Sequence, residues 1–209
     1  MVLSMAKDHT EKIVLVVPIS HTHYLVPPTG LGYLATALRQ SGFTDITILD
    51  CVKEGLSFNG LSERFRKLKP KIVGFQVFSY DFDSVGRSIG ILKKVCPETT
   101  ILIGGAHVSA TSMTVLEEIE EADYGFAGEG EIGLPMLAKH ILRDEIIPLE
   151  SIPGLIWRNG SSICNNERAG TEDLDSLGFQ AWDLMEPVSY NGSPQGGFYK
   201  RFPIAPIST

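Results

Sequence analysis

Between Ile13 and Leu142 five short apolar runs alternate with five segments of helical period, and this alternation restricts the possible folds more than any other feature of the sequence. Ile13 to Val17 is a continuous β-branched and leucine run closed by Pro18, the pattern of a strand buried on both faces of a parallel sheet. After a loop from Ile19 to Pro28, residues Leu31, Leu34, Ala35 and Leu38 fall at helical spacing, with Thr29 placed as N-cap and Gly42 beyond the end as a stop. The same reading gives a strand over Ile46 to Leu49, a helix over Leu56 to Leu68, a strand over Ile72 to Phe78 and a helix over Phe82 to Val95. Ile101 to Ile103 then runs straight into Gly104 and Gly105. A helix from Thr111 to Ile119, a strand over Tyr124 to Phe126 and a helix near Ile132 to Leu142 complete the series. Short connections between alternating elements require right-handed crossovers, so the expectation is an α/β fold with a doubly wound five-stranded parallel sheet, flavodoxin-like or Rossmann-like.

In such a sheet ligands bind at the carboxyl ends of the strands. Four loops converge there: Ile19 to Gly30, Ser79 to Asp83, Gly104 to Ser109, and Gly128 to Glu131. Glycines at a strand tip allow positive φ and let ligand atoms lie on the backbone; the plainer reading of Gly104 and Gly105 is a tight strand-to-helix turn. A dinucleotide site is excluded, because a loop rich in Pro and His stands where G-x-G-x-x-G would follow the first strand. A phospho-receiver is excluded because no Asp or Glu occurs from Ile13 to Thr44, and a phosphate-binding P-loop is absent. What remains is a large ligand lying across several strand tips, touching backbone at Gly104, Gly105, Gly128 and Gly130.

Eighteen basic against twenty-five acidic residues, a net charge of −7, argue against a nucleic-acid partner. Met1 to Lys12 lacks the apolar core of a signal peptide and no apolar run approaches the roughly 20 residues needed to span a bilayer, so no membrane association and a cytoplasmic location are expected. Cys51, Cys96 and Cys164 are too few and too scattered for a disulfide framework or a metal knot, and all three are expected to be structural. Residues 1–143 form the α/β domain in this reading, and 144–209 a linker, a β-hairpin and an irregular connector. The hairpin pairs Gly154 to Trp157 with Ser161 to Cys164 through an Asn159-Gly160 type I′ turn.

Six segments in this order resemble the N-terminal cobalamin-binding domain of cobalamin-dependent radical S-adenosylmethionine enzymes. They are Pro28 to Ala35, Ile72 to Phe75, Gly104 to His107, Asp123 leading to Gly128, Glu129, Gly130 and Glu131, Ile152 to Leu155, and Asp173 to Leu177. The resemblance implies cobalamin as cofactor, with contacts from Thr29, Gly30, Ser79, Tyr80, Gly104, Gly105, His107, Gly128, Glu129 and Gly130, and no catalytic or metal-ligating residue in this chain. Ser79 would lie near the displaced nucleotide base or cap the next helix, and Glu131 is expected to be a first-turn carboxylate favoured by the helix dipole. Asp81 and Asp83 are read as helix-start residues, Tyr33 and Tyr80 as candidates to pack on the corrin, and Phe78 as core. The D-x-H-x-x-G pattern that supplies a lower cobalt ligand is not met around His21 or His23, so base-off binding without His ligation is expected, His23 being the alternative. The resemblance further implies a C-terminal radical S-adenosylmethionine domain carrying a 4Fe-4S cluster and S-adenosylmethionine, in a methyltransferase or related radical enzyme. The chain stops before that motif, and by itself is expected to bind rather than catalyse. The competing expectation is the same fold without cobalamin, serving as a docking platform for substrate or partner. A stand-alone flavodoxin-like enzyme is disfavoured by the lack of a nucleophile and base pair.

Overall fold

The computed structural model describes residues 11–21, 25–170 and 173–190. Its first half runs β1 (Ile13–Val17), α1 (Thr29–Gln40), β2 (Ile46–Asp50), α2 (Phe58–Leu68), β3 (Ile72–Gln76), α3 (Phe82–Val95) and β4 (Thr100–Gly104). There follow α4 (Ala106–Thr111), α5 (Thr114–Glu118), β5 (Tyr124–Phe126), α6 (Gly133–Leu142), β6 (Leu155–Asn159), β7 (Ser162–Asn165) and α7 (Trp182–Met185). The strands make one seven-stranded sheet in the order β2-β1-β3-β4-β5-β6-β7. β1 to β5 are parallel, whereas β6 and β7 pair antiparallel. The winding direction reverses between β1 and β3, which opens a crevice at their carboxyl ends.

Both faces of the sheet are buried because side chains alternate along each strand. Ile13 and Leu15 join Leu102 in a core with Leu31, Ala35 and Leu38 of α1 and Leu134 and Leu137 of α6. Val14 and Val16 join Ile101 and Ile103 in a second core with Phe65 of α2, Ile89 of α3 and Leu116 of α5. This double burial is why β1 has no polar residue.

The sheet is two strands wider than the five parallel strands expected. β6 pairs with β5 through Tyr124↔Trp157, Gly125↔Ile156 and Phe126↔Leu155, and Leu155 and Ile156 enter opposite cores, so the hairpin extends both apolar layers. Asn159 pairs with Ser162, which leaves Gly160 and Ser161 as the turn; only Gly160 has positive φ, 60°, the sign pattern of a type II′ rather than a type I′ turn. The helix expected over Thr111 to Ile119 is two short helices broken at Ser112, φ 52°, so that Val108, Val115 and Leu116 all reach one core. Thr29 is the first residue of α1 and not its cap, since Pro28 holds that position and its carbonyl accepts from Gly32 N at 3.0 Å. Gly42 does end the helix, with φ 88° and a bond to Arg39 O at 2.9 Å.

Residues 173–190 pack back against α1 and β2. Arg39 donates to both oxygens of Asp183 at 2.8 and 2.7 Å, Ala181 N donates to Gly32 O, and Tyr190 Oη donates to Asp50 Oδ2 at 2.8 Å. The exposed Arg39–Asp183 pair contributes little, whereas Asp50 is 5% exposed and burial pushes its carboxyl up. Tyr190→Phe is therefore expected to cost about 1–3 kcal/mol, read as a lower urea midpoint. The deficit should widen as pH rises and Asp50 ionises, because the lost hydroxyl favours the carboxylate. Residues 191–209, including the Ile204 to Ile207 segment, lie outside the described residues.

Candidate functional site

A cavity of about 240 Å³ lies at the carboxyl edge, between the sheet and the helices α1 and α6. Strand alternation builds its floor. On this face β3 presents Gly74 and Gln76, and β4 presents Leu102 and Gly104; Gly74 stands in register between Leu15 and Leu102, and Gly104 between Gln76 and Phe126. Two missing side chains hollow out a surface that would otherwise be filled. Leu31 and Leu34 of α1, Leu134 of α6 and the Gly128 to Glu131 loop form the walls. Gly30 stands at the mouth, exposed, and a Cβ there would meet nothing within 4 Å.

The adjacent glycines differ in role. A Cβ on Gly104 would make ordinary contacts at 3.8 Å with Phe126. Gly105 has φ 111° and ψ −169°, and a Cβ there would lie 2.9 Å from the Val77 carbonyl oxygen. That carbonyl accepts from His107 N at 3.2 Å, while Val77 N donates to Gly104 O at 2.7 Å, so the parallel β3 and β4 stay in close backbone contact past their ends, at Val77 and Gly105. Ser109 joins two strand-tip loops, its hydroxyl accepting from Gly128 N at 2.9 Å and its carbonyl accepting from Arg168 at 2.6 Å. Asp123 fixes the register beneath: its carboxylate accepts from Ile101 N at 2.7 Å and pairs with Lys93 at 3.1 Å.

Of the expected site residues, Gly30, Gly104, Gly105, Gly128, Glu129 and Gly130 line this cavity. Thr29, Ser79, Tyr80 and His107 lie outside its lining, on the same strand-tip edge. Ser79 does not cap α3; its hydroxyl bonds His107 Nδ1 at 3.0 Å, and the His107 ring lies 4.7 Å from Phe82. His107 Nε2 is buried without a hydrogen-bond partner. Tyr80 is 67% exposed and stacks on Phe78 at 5.5 Å and 2°, which leaves Phe78 half-buried rather than in the core. Asp83 does lie in the first turn of α3, while Asp81 is buried just before it.

Glu131 is not a first-turn carboxylate. The helix starts at Gly133, and Glu131 lines the cavity with Oε2 buried and unpartnered. Gly74, Gln76 and Leu34 were not anticipated as site residues; the available signal was a glycine in the middle of a buried strand, which marks a close approach. His21 is exposed, and His23 lies outside the described residues. All three cysteines are free, and burial pushes the Cys51 thiol up to about 12. Among the described residues no cluster of three or more His, Cys, Asp or Glu could hold a metal ion, and no helix is long and apolar enough to cross a membrane.

A family model described as the B12 binding domain matches residues 15–138. The anaerobic magnesium-protoporphyrin IX monomethyl ester cyclase of Rubrivivax gelatinosus is 33% identical over 78% of this chain and 30% of its own length. The enzyme of the same description from Cereibacter sphaeroides is 28% identical over 81% of the chain and 28% of its own. An uncharacterized methyltransferase of Pyrococcus horikoshii is 28% identical over 81% of the chain and 37% of its own. The chain thus spans between 28% and 37% of the lengths of these relatives. In fold it is similar to the radical S-adenosylmethionine methyltransferase TsrM from Kitasatospora setae, solved with cobalamin and a [4Fe-4S] cluster, with TM-score 0.67, 23% identity, and coverage of 78% of this chain and 30% of that one. The cobalamin-dependent S-adenosylmethionine radical enzyme OxsB, solved with aqua-cobalamin and S-adenosylmethionine, gives TM-score 0.67, 16% identity and coverage of 77% and 22%.

Proposed function

The chain belongs to the B12 binding domain family, and from that premise we propose that it holds cobalamin base-off, with the nucleoside tail in the cavity and the corrin spread over the strand-tip edge. The observation that carries this reading is the hollow beneath α1 and α6, where Gly74 and Gly104 remove side chains from the floor and leave an apolar slot suited to a flat aromatic base. Leu31, Leu34, Phe126 and Leu134 would keep water from the buried base. Thr29, Gly30, Gly128, Glu129 and Gly130 would surround the tail at the mouth, Gly104 and Gly105 would flank it, and Ser79, Tyr80 and His107 would face the corrin. No histidine of this chain is assigned to cobalt. Bound cobalamin supplies a cobalt centre that carries an alkyl group; this chain's residues bind it, orient it and limit its exposure.

For the whole protein we propose a methyltransferase or related radical enzyme. A 4Fe-4S cluster and S-adenosylmethionine would be held by a radical S-adenosylmethionine domain of the same chain; TsrM was solved with a [4Fe-4S] cluster and OxsB with S-adenosylmethionine, each beside cobalamin.

Titration with hydroxocobalamin followed by gel filtration is expected to show about one equivalent of coloured cofactor co-eluting with the protein, with a spectrum that His23→Ala leaves unchanged. Failure to retain cobalamin, in this chain and in a longer one carrying the radical domain alike, would favour a docking platform of the same fold.

A further inference from the structure

Glu131 is, with Gln76 and Glu129, one of three polar side chains among the lining residues of an otherwise apolar cavity. Leu31, Leu34, Phe126 and Leu134 line the same space as Glu131, whose Oε2 is buried with no hydrogen-bond partner. An unpaired buried carboxyl oxygen is unfavourable in the free protein, and a polar group of a ligand in the adjoining cavity can supply its partner. Ser79 does not provide the polar contact inside the cavity, because it lies outside the lining and is already bonded to His107.

Resting on the reading that the nucleoside tail of cobalamin enters this cavity, we propose that Glu131 recognises the base of that tail, its carboxyl O–H donating to the ring nitrogen that the base frees when it leaves cobalt. Glu131 thereby selects a heteroaromatic base with a free nitrogen lone pair and favours the base-off form. A donor role requires the neutral carboxyl. Burial pushes Glu131 up and the Glu129 carboxylate adds to this, while backbone N–H groups of Glu131 and Gly130 pull the other way. The charged side chains nearby are few. Glu129 shares the loop, Lys139 of α6 lines the outer groove that Glu131 also borders, and Arg168 packs on Gly128; the lining residues from α1 and the sheet carry no charge.

Absorbance titrations with cobalamin and with cobinamide, which has the same corrin and no nucleoside tail, test this in the wild type, Glu131→Leu and Glu131→Gln. Glu131→Leu should remain folded by circular dichroism, yet its cobalamin affinity should drop about ten- to a hundredfold while cobinamide binding is unchanged. Glu131→Gln keeps an N–H donor and should bind cobalamin within about threefold of the wild type. Wild-type affinity for cobalamin should fall as pH rises and the carboxyl, which burial holds above the usual carboxylate range, ionises, and that of Glu131→Gln should stay flat. A wild type that prefers cobalamin over cobinamide and keeps that preference in Glu131→Leu, or that shows no pH dependence, overturns the role of Glu131 alone. A wild type that does not prefer cobalamin over cobinamide overturns the tail-binding reading itself.

Discussion

Gly105→Ala is expected to destabilise the fold by about 3 kcal/mol or more, while Gly104→Ala changes stability by less than about 1 kcal/mol. The backbone at Gly105, φ 111° and ψ −169°, lies in a region that side-chain-bearing residues hardly occupy, and forcing one there costs roughly 1–3 kcal/mol. The added Cβ would also press on the Val77 carbonyl oxygen at 2.9 Å and the Val77 nitrogen at 3.2 Å. Neither atom can retreat without loss, since the carbonyl accepts from His107 N and the nitrogen donates to Gly104 O. Thermal unfolding of the two variants side by side is the measurement, with a fall of roughly 6–12 °C for Gly105→Ala. Equal melting temperatures for the two variants would show that the close approach of Val77 to Gly105 is not what the glycine serves.

Gly30→Trp should reduce cobalamin affinity by more than about a hundredfold, close to 3 kcal/mol, without lowering the melting temperature. A Cβ at Gly30 meets no atom within 4 Å, so the indole can enter the mouth of the cavity without displacing backbone. Glycine is a poor helix former, and replacing it in the first turn of α1 does not weaken that helix. The loss would therefore come from occupied space and not from unfolding, which makes this variant a cleaner probe than any change at Gly105. Full-strength binding by a folded Gly30→Trp protein would move the cofactor tail out of the cavity.

The fold was legible wherever one local period decided it. β1, α3 and β5 have the bounds that the apolar pattern indicates, because burial on both faces of a strand, or along one face of a helix, leaves an unbroken local signature. Where a partner decided the outcome, the pattern was silent. The hairpin was readable as a hairpin, but its alignment on β5 depends on Leu155 and Ile156 entering two cores that exist only after the helices have packed. Thr29 had the chemistry of a cap, yet Pro28 holds the cap position.

The same division runs through the site. By itself the sequence determined a parallel sheet whose carboxyl edge gathers the loops carrying Gly30, Ser79, Gly104, Gly105 and Gly128 to Glu131, since strand order in an alternating chain fixes which ends meet. Only the tertiary structure decided that Gly105 serves a close backbone approach while Gly104 and Gly74 hollow a cavity, that Ser79 is paired with His107, and that Glu131 borders an apolar space with one carboxyl oxygen buried and unpartnered. The reason is physical: periodicity records which side of an element is buried, whereas the meaning of a missing Cβ or an unpaired oxygen depends on atoms contributed by distant parts of the chain.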